Sequence, residues 1–222
     1  MTVHEIVDRL TYLSPAILAG GIWVGFLNFK KIDSVHRSIT VYLLVMLCVD
    51  VASRILGHLG NSILVLLVYS LIEVMLIVYF YYNYLFRTKH LVVLALSILA
   101  GIYILWEIAS FEKIEAKHFQ SYAKVADNSI VILLALSFFY ERLSMFKESK
   151  WDNFRLNAIV LVFFSVNLLF FLPFNLIINK STGLQFFFWY GILLITILFY
   201  AYLSWSIWDN SKKNPKLKIR QR

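Results

Sequence analysis

Residues 62–86 read SILVLLVYSLIEVMLIVYFYYNYLF, an apolar and aromatic run with one carboxylate, Glu73, near its midpoint. At 1.5 Å per residue, a helix of this length crosses a hydrocarbon core of roughly 30 Å with some length to spare. Glu73 is then expected near the membrane midplane. A carboxylate there costs a few kcal/mol (~3) on insertion scales unless it is neutral, paired or turned to a wet cavity, so neighbouring helices must provide for it.

The composition of the whole chain agrees with that reading. Of 222 residues, 60% are hydrophobic and only 15% charged, with a mean hydropathy of +0.74. A soluble domain of this size carries about a quarter charged residues. An all-α, polytopic membrane protein follows. The formal net charge of +8 does not indicate nucleic acid, because the basic residues lie in loops between apolar spans rather than on one face. The single cysteine, Cys48, excludes an internal disulfide and, lying within a span, is expected to be a buried, inert thiol. Residues 1–9 carry Glu5 and Asp8 against Arg9, the wrong charge for a signal-peptide n-region, so the first span is expected to be retained.

Seven spans are legible by hydropathy and length: Leu10 to Phe29, Ile39 to Gly57, Ser62 to Phe86, Leu91 to Ser110, Lys124 to Phe146, Leu156 to Asn179 and Leu184 to Trp208. Short connections make consecutive helices antiparallel neighbours in a single bundle over residues 1–209. Residues 210–222 form a polar, basic tail, expected to be disordered and to anchor on anionic lipid. The first, third and fifth loops and the tail hold 15 of the 21 Lys and Arg, whereas Arg9, Lys113, Lys117, Lys124 and Lys180 lie on the other side and Arg54 lies within a span. This bias places the N-terminus outside and the tail in the cytoplasm, in a bacterial inner membrane.

The fifth span is the weakest, with an uninterrupted apolar run only from Ser129 to Tyr140. It can still cross if Lys124 and Arg142 snorkel outward at its two ends. Gly20, Gly21 and Gly25 on the first span let a helix approach closely, either within the bundle or across a homo-oligomer face. Pro15 and Pro173 are expected to kink the first and sixth helices.

Depth then sorts the polar residues. Asp50, Glu73, Asn167 and Thr196 fall near the midplane, Arg54, Glu107, Asp127 and Asn128 in the outer third, and few in the cytoplasmic half. That asymmetry predicts a pocket opening outward. Asp50 and Arg54 are four apart and share a helix face as an ion pair; Tyr69 precedes Glu73, and Tyr103 precedes Glu107, by one turn each. Ser62, Tyr69 and Glu73 on one helix and Gln185, Trp189, Thr196 and Tyr200 on another form stripes expected to face inward. Four carboxylates against Arg54 leave an excess of negative charge, so either one carboxyl is neutral, Glu73 being the candidate, or a cation or amine ligand is bound. A closed network that only specifies packing is the structural alternative.

Motifs for other chemistry are absent from the sequence. The five histidines lack zinc spacing, and no phosphate loop, nucleophile elbow or CxxC pair occurs, so no metal, cofactor or catalytic residue is assigned; the reading leans away from an enzyme without deciding against one. The seventh span has no lysine for a retinal Schiff base.

Two stretches carry a resemblance. NSILVLLVYSLIEVMLIVYFYYNYLF, from Asn61, resembles the third helix of an uncharacterised family of small bacterial seven-helix inner-membrane proteins, and FRLNAIVLVFFSVNLLFFL, from Phe154, is similar to its sixth. Related modules occur as membrane sensor regions ahead of signalling kinases. The resemblance implies a sensor or regulatory subunit that signals through a membrane or cytoplasmic protein partner, with Tyr69, Glu73 and Asn167 at the matching positions. Asp50 and Arg54 depart from the family pattern. Three other readings stay open: a transporter of a small cation or amine, or a proton-coupled one; a membrane enzyme acting on lipid, favoured only by the buried carboxylates; and a membrane assembly or helper subunit with Gly21, Gly25 and the exposed aromatics as its contact face.

Overall fold

The computed structural model describes residues 9–58, 62–111, 121–144, 153–177 and 182–213. Among them the chain is helical without strands: α1 (Leu13–Leu27), α2 (Ser34–His58), α3 (Ser62–Phe80), α4 (Leu91–Ser110), α5 (Ala123–Ser144), α6 (Phe154–Ile177) and α7 (Thr182–Lys213). Seven helices are long and apolar enough to cross a membrane, the architecture of an integral membrane protein. The Lys113, Lys117 and Lys180 loops and the tail beyond Lys213 lie outside the described residues.

Three of the boundaries that differ from the hydropathy reading matter for the packing described below. α2 starts at Ser34, ahead of Ile39, because the Asp33 carboxylate accepts from the His36 backbone N–H at 2.8 Å and caps the helix. α3 ends at Phe80 and continues as one π-turn, Tyr81–Leu85, closed by Phe86 N–H donating to the Tyr81 carbonyl at 2.8 Å. The wider turn brings buried Leu85 back over buried Tyr81. α7 continues to Lys213, so residues 210–213 of the expected tail are helical. Pro173 lies inside α6, which runs on to Ile177, and Pro15 sits in the first turn of α1, where its missing N–H breaks no helical bond.

The chain divides into two compact units, Met1–Ile55 with Leu193–Arg222, and Leu56–Ile192. α2 and α7 each contribute to both.

In the first unit the small residues of α1 make the packing. A methyl at Gly21 would strike Ser204 Oγ of α7 and Leu43 of α2, and one at Gly25 would strike Thr40 of α2. These two glycines therefore work inside their own unit. Gly20 has nothing within 4 Å of such a methyl, so it does not share that packing role. At one end of this unit, buried His36 bridges Asp33 Oδ1 at 2.7 Å and Ser206 Oγ at 3.0 Å, while Asn210 donates to Asp33 Oδ2 at 2.9 Å. Burial raises the Asp33 pKa, but the His36 and Asn210 contacts outweigh it and hold the carboxyl below its usual value. Cys48 is exposed on the surface of α2 rather than buried.

The second unit is organised around α5, which packs against α3, α4 and α6. Half of its apolar window is buried against 17% for α4, which explains why so short an apolar run forms a span. A helix walled by protein needs less lipid-facing surface. The neighbours are tied in register. Tyr81 of α3 donates to Asn157 Oδ1 at 2.6 Å, and Asn157 donates onward to the Ala135 carbonyl at 3.0 Å. Farther along, Glu141 of α5 accepts from the Arg87 and Thr88 backbone at 3.1 to 3.2 Å and from the Thr88 hydroxyl at 2.8 Å, and lies 3.0 Å from His90 Nε2. These contacts fasten the α3–α4 connection. Arg142, expected to snorkel outward, instead donates to the Leu85 carbonyl at 3.1 Å.

Candidate functional site

The register of the second unit places Glu73 of α3 level with Asp127 of α5. Both carboxylates are fully buried, and the ammonium that meets them is Lys124, on the first turn of α5. Lys124 Nζ bonds both Glu73 Oε2 and Asp127 Oδ2. The Tyr69 hydroxyl donates to Glu73 Oε1 at 2.9 Å, and its ring lies 4.3 Å from Lys124 Nζ, close enough for a cation–π contact. Phe164 of α6 closes the other side, its ring 5.9 Å from the ammonium.

This reverses one expectation. Lys124 does not snorkel outward; it is 4% exposed and turned into the unit. Removing an ammonium from water costs several kcal/mol (~5), and only two carboxylates at contact distance in the interior offset that. The same geometry gives Glu73 a partner other than Arg54. The spacing of Tyr69 and Glu73 made their contact legible, whereas Lys124 and Asp127 were missed because a lysine one residue into a span reads as an end marker. The residual signal is that Lys124, Asp127 and Asn128 lie three and four apart, on one face.

The charges of the three side chains do not cancel among themselves. One ammonium faces two carboxylates, a formal charge of −1 with all three ionised. Hydrogen bonding does not balance either. Asp127 Oδ1, both amide atoms of fully buried Asn128 and Oδ1 of Asn167, 2% exposed, have no hydrogen-bond partner among the described residues. The Asn157–Ala135 bond and the stacking of Phe154 on Phe139, 4.7 Å between ring centres, set α6 antiparallel to α5. Carried along both helices, that register brings Phe164 level with Asn128 and Asn167 level with Val125. The unsatisfied oxygens of Asp127, Asn128 and Asn167 thus fall within about one helical turn, roughly 5 Å along the axis.

Glu107 forms a separate anchor nearer the start of α5. It accepts from Tyr103, as the spacing predicts, from Ser121 Oγ at 2.7 Å and from the Tyr122 backbone at 3.1 Å. Every one of these donors is within fifteen residues, so Glu107 fixes the α4–α5 connection. Asp50 and Arg54 form the expected intrahelical pair at 2.9 Å, in the first unit, where Arg54 also donates to the Thr11 carbonyl at 2.6 Å and lies 5.3 Å from the Tyr12 ring. Thr196 belongs to that unit as well and is half-buried. Of the α7 stripe, Tyr200 is buried but Trp189 is 47% exposed, so the stripe does not face inward along its length; the side chains of Ser62 and Gln185 are outside those described.

Beyond the triad the interior turns apolar. α3 next presents Val74 and Ile77, and α5 presents Ile130, Val131 and Leu134, all buried, before the Tyr81–Asn157 pair is reached. Among the described residues no three His, Cys, Asp or Glu side chains gather as a metal site. Comparison with protein-family models, with curated proteins and with solved structures returned no match to this chain.

Proposed function

We propose that this chain is a membrane sensor or regulatory subunit whose responsive element is the buried Lys124–Glu73–Asp127 centre, with Tyr69 as the hydrogen-bond donor that orients Glu73. The observation that carries the reading is one ammonium shared by two fully buried carboxylates. Such a centre ties two helices through one shared ammonium, so a change in its charge alters how α3 and α5 hold together. The positive-inside bias supports the N-terminus outside and α7 ending in the cytoplasm, and removing inward-facing Lys124 from the outer count strengthens it. A bacterial inner membrane is the setting proposed. Output passes to a membrane or cytoplasmic partner through the basic loops.

Transport is the second reading, favoured by the two carboxylates, Glu73 and Asp127, that the spans bury. The apolar stretch of Val74, Ile77, Val131 and Leu134 argues against a continuous polar route. An assembly role would rest on the exposed aromatics, such as Trp23 and Phe26, because Gly21 and Gly25 pack within their own unit.

The test compares a deletion strain with strains carrying the wild-type chain or Glu73→Gln at equal membrane abundance. Glu73→Gln is expected to reproduce the deletion's transcript profile; a wild-type profile refutes the reading. Measurable ion or amine flux in proteoliposomes would favour transport instead.

A further inference from the structure

We infer that Asp33, His36 and Ser206 form a serine-hydrolase triad that cleaves the acyl ester of a phospholipid, with Ser206 as nucleophile and His36 as base. The site belongs to the first unit and does not rest on the Lys124 centre of the second.

His36 Nδ1 lies 2.7 Å from Asp33 Oδ1, and His36 Nε2 lies 3.0 Å from Ser206 Oγ, so carboxylate, imidazole and hydroxyl stand in series. With Nδ1–H donating to the carboxylate, Nε2 is left as acceptor of the serine proton, the tautomer that general-base chemistry requires. Asp33 is itself fixed: the His36 backbone N–H donates to Oδ1 at 2.8 Å and Asn210 Nδ2 to Oδ2 at 2.9 Å. Asn210 is one turn beyond Ser206, so one face of α7 carries both the nucleophile and the support of the carboxylate. Packing alone does not ask this of a helical serine. Ser70, Ser97, Ser129 and Ser144 each donate to the carbonyl four residues back in their own helix, whereas Ser206 turns to His36. His36 is 7% exposed and Ser206 half-buried, so the base is shielded while the serine keeps some surface.

Depth names the substrate. The last apolar span, Phe187–Lys213, has 27 residues and is about 40 Å long, the thickness of a bilayer with its headgroup layers. Ser206 is about 10 Å from its end, close to where hydrocarbon gives way to headgroups and where glycerolipid esters lie. Exposed Trp205 and Trp208 mark that boundary, and exposed Lys30 and Lys31, just ahead of Asp33, suit a phosphate. Ser206 Oγ adds to the acyl carbonyl carbon as its proton passes to His36 Nε2; the bond to the glycerol oxygen breaks and that oxygen takes the proton. Water, giving its proton to the same nitrogen, then attacks the acyl-serine; Oγ recovers the proton and the fatty acid leaves.

The full chain reconstituted in vesicles of phosphatidylethanolamine and phosphatidylglycerol provides the test, with fatty acid and lysophospholipid measured by mass spectrometry. The two products should appear in equal amounts. Ser206→Ala, a change of one oxygen, should elute as the wild-type monomer on size exclusion and lose at least about a hundredfold in rate. A fluorophosphonate should attach to the wild-type chain at Ser206, located by peptide mass. Asp33→Asn, assayed at equal monomer, should lower kcat by about a hundredfold and leave KM within about twofold, whereas a merely structural Asp33 would change neither at matched monomer. No product from the wild type overturns the inference, as does release undiminished in Ser206→Ala. Labelling of a serine other than Ser206, cleavage of short-chain soluble esters with phospholipid untouched, or an unaltered kcat in Asp33→Asn overturns it too.

Discussion

Replacing Lys124 by methionine keeps the length of the side chain and deletes its charge, leaving Glu73 and Asp127 without the ammonium they share. Both carboxylates have 0% side-chain exposure and the lysine 5%, so water offers little relief. Removing one partner of a buried ionic centre costs about 3–5 kcal/mol. At about 2–4 °C per kcal/mol for a chain of this size, Tm should fall by about 10 °C. The Lys213–Asp209 pair at the end of α7 is an internal control: Lys213 is 68% exposed, and Lys213→Met should move Tm by about 1 °C or less. A second variant separates the cost of a broken centre from the value of an intact one. Combining Lys124→Met with Glu73→Met, Asp127→Leu and Tyr69→Phe removes every charge and the phenol that would lose its acceptor. Because well-packed apolar replacements of buried ion pairs are often neutral or stabilising, this variant should regain most of the lost Tm or exceed the wild type, while losing function. Thermal unfolding followed by loss of the monomer peak on size exclusion measures both. If Lys124→Met behaves like Lys213→Met, the ammonium is solvated and the centre is not buried.

Two further outcomes follow from the first unit. Asp33→Asn should cost about 1 kcal/mol at pH 7, because the bonds from His36 and Asn210 to an ionised acceptor become neutral ones. Because the folded pKa of Asp33 lies below its unfolded value of 3.8, the contribution is fully present above that value and is lost as pH falls through the lower folded one, so wild-type and variant Tm should converge under acid. Gly21→Ala and Gly25→Ala should each destabilise by about 1–3 kcal/mol through the clashes with Ser204, Leu43 and Thr40, whereas Gly20→Ala should be neutral or stabilise by up to about 1 kcal/mol in the same melting assay.

Hydropathy was sufficient for seven helices, since each span needs only its own residues to declare itself. Contacts one turn apart, Tyr69 with Glu73, Tyr103 with Glu107 and Asp50 with Arg54, were legible for the same reason. What spacing could not supply is the register between helices distant in sequence. Glu73 and Lys124 are brought together by α3 and α5 running side by side, and no periodicity within either helix encodes that offset. Lys124 shows the limit: a lysine near a span end is equally a snorkelling anchor or an inward counter-charge, and only the level of Glu73 decides. The start of α2 was legible and overlooked, because Asp33 lies three residues ahead of His36 in the pattern of an N-cap. The unusually polar α5 was also informative. A span too poor in apolar residues to face lipid all round is the one the others enclose.

The π-turn at Tyr81–Leu85 makes the number of residues there matter more than their identity. It sits between the Tyr81–Asn157 bond and the clasp of Arg87 and Thr88 on Glu141, so it sets the phase of one relative to the other. Many substitutions at Tyr82 or Asn83 would preserve that phase. A single codon deleted or inserted would rotate the connection by about 100° about the helix axis, swinging the Arg87 and Thr88 amides away from their acceptor. Homologous chains should therefore vary in letters but not in count across this segment, a signature that an alignment of lengths alone would reveal.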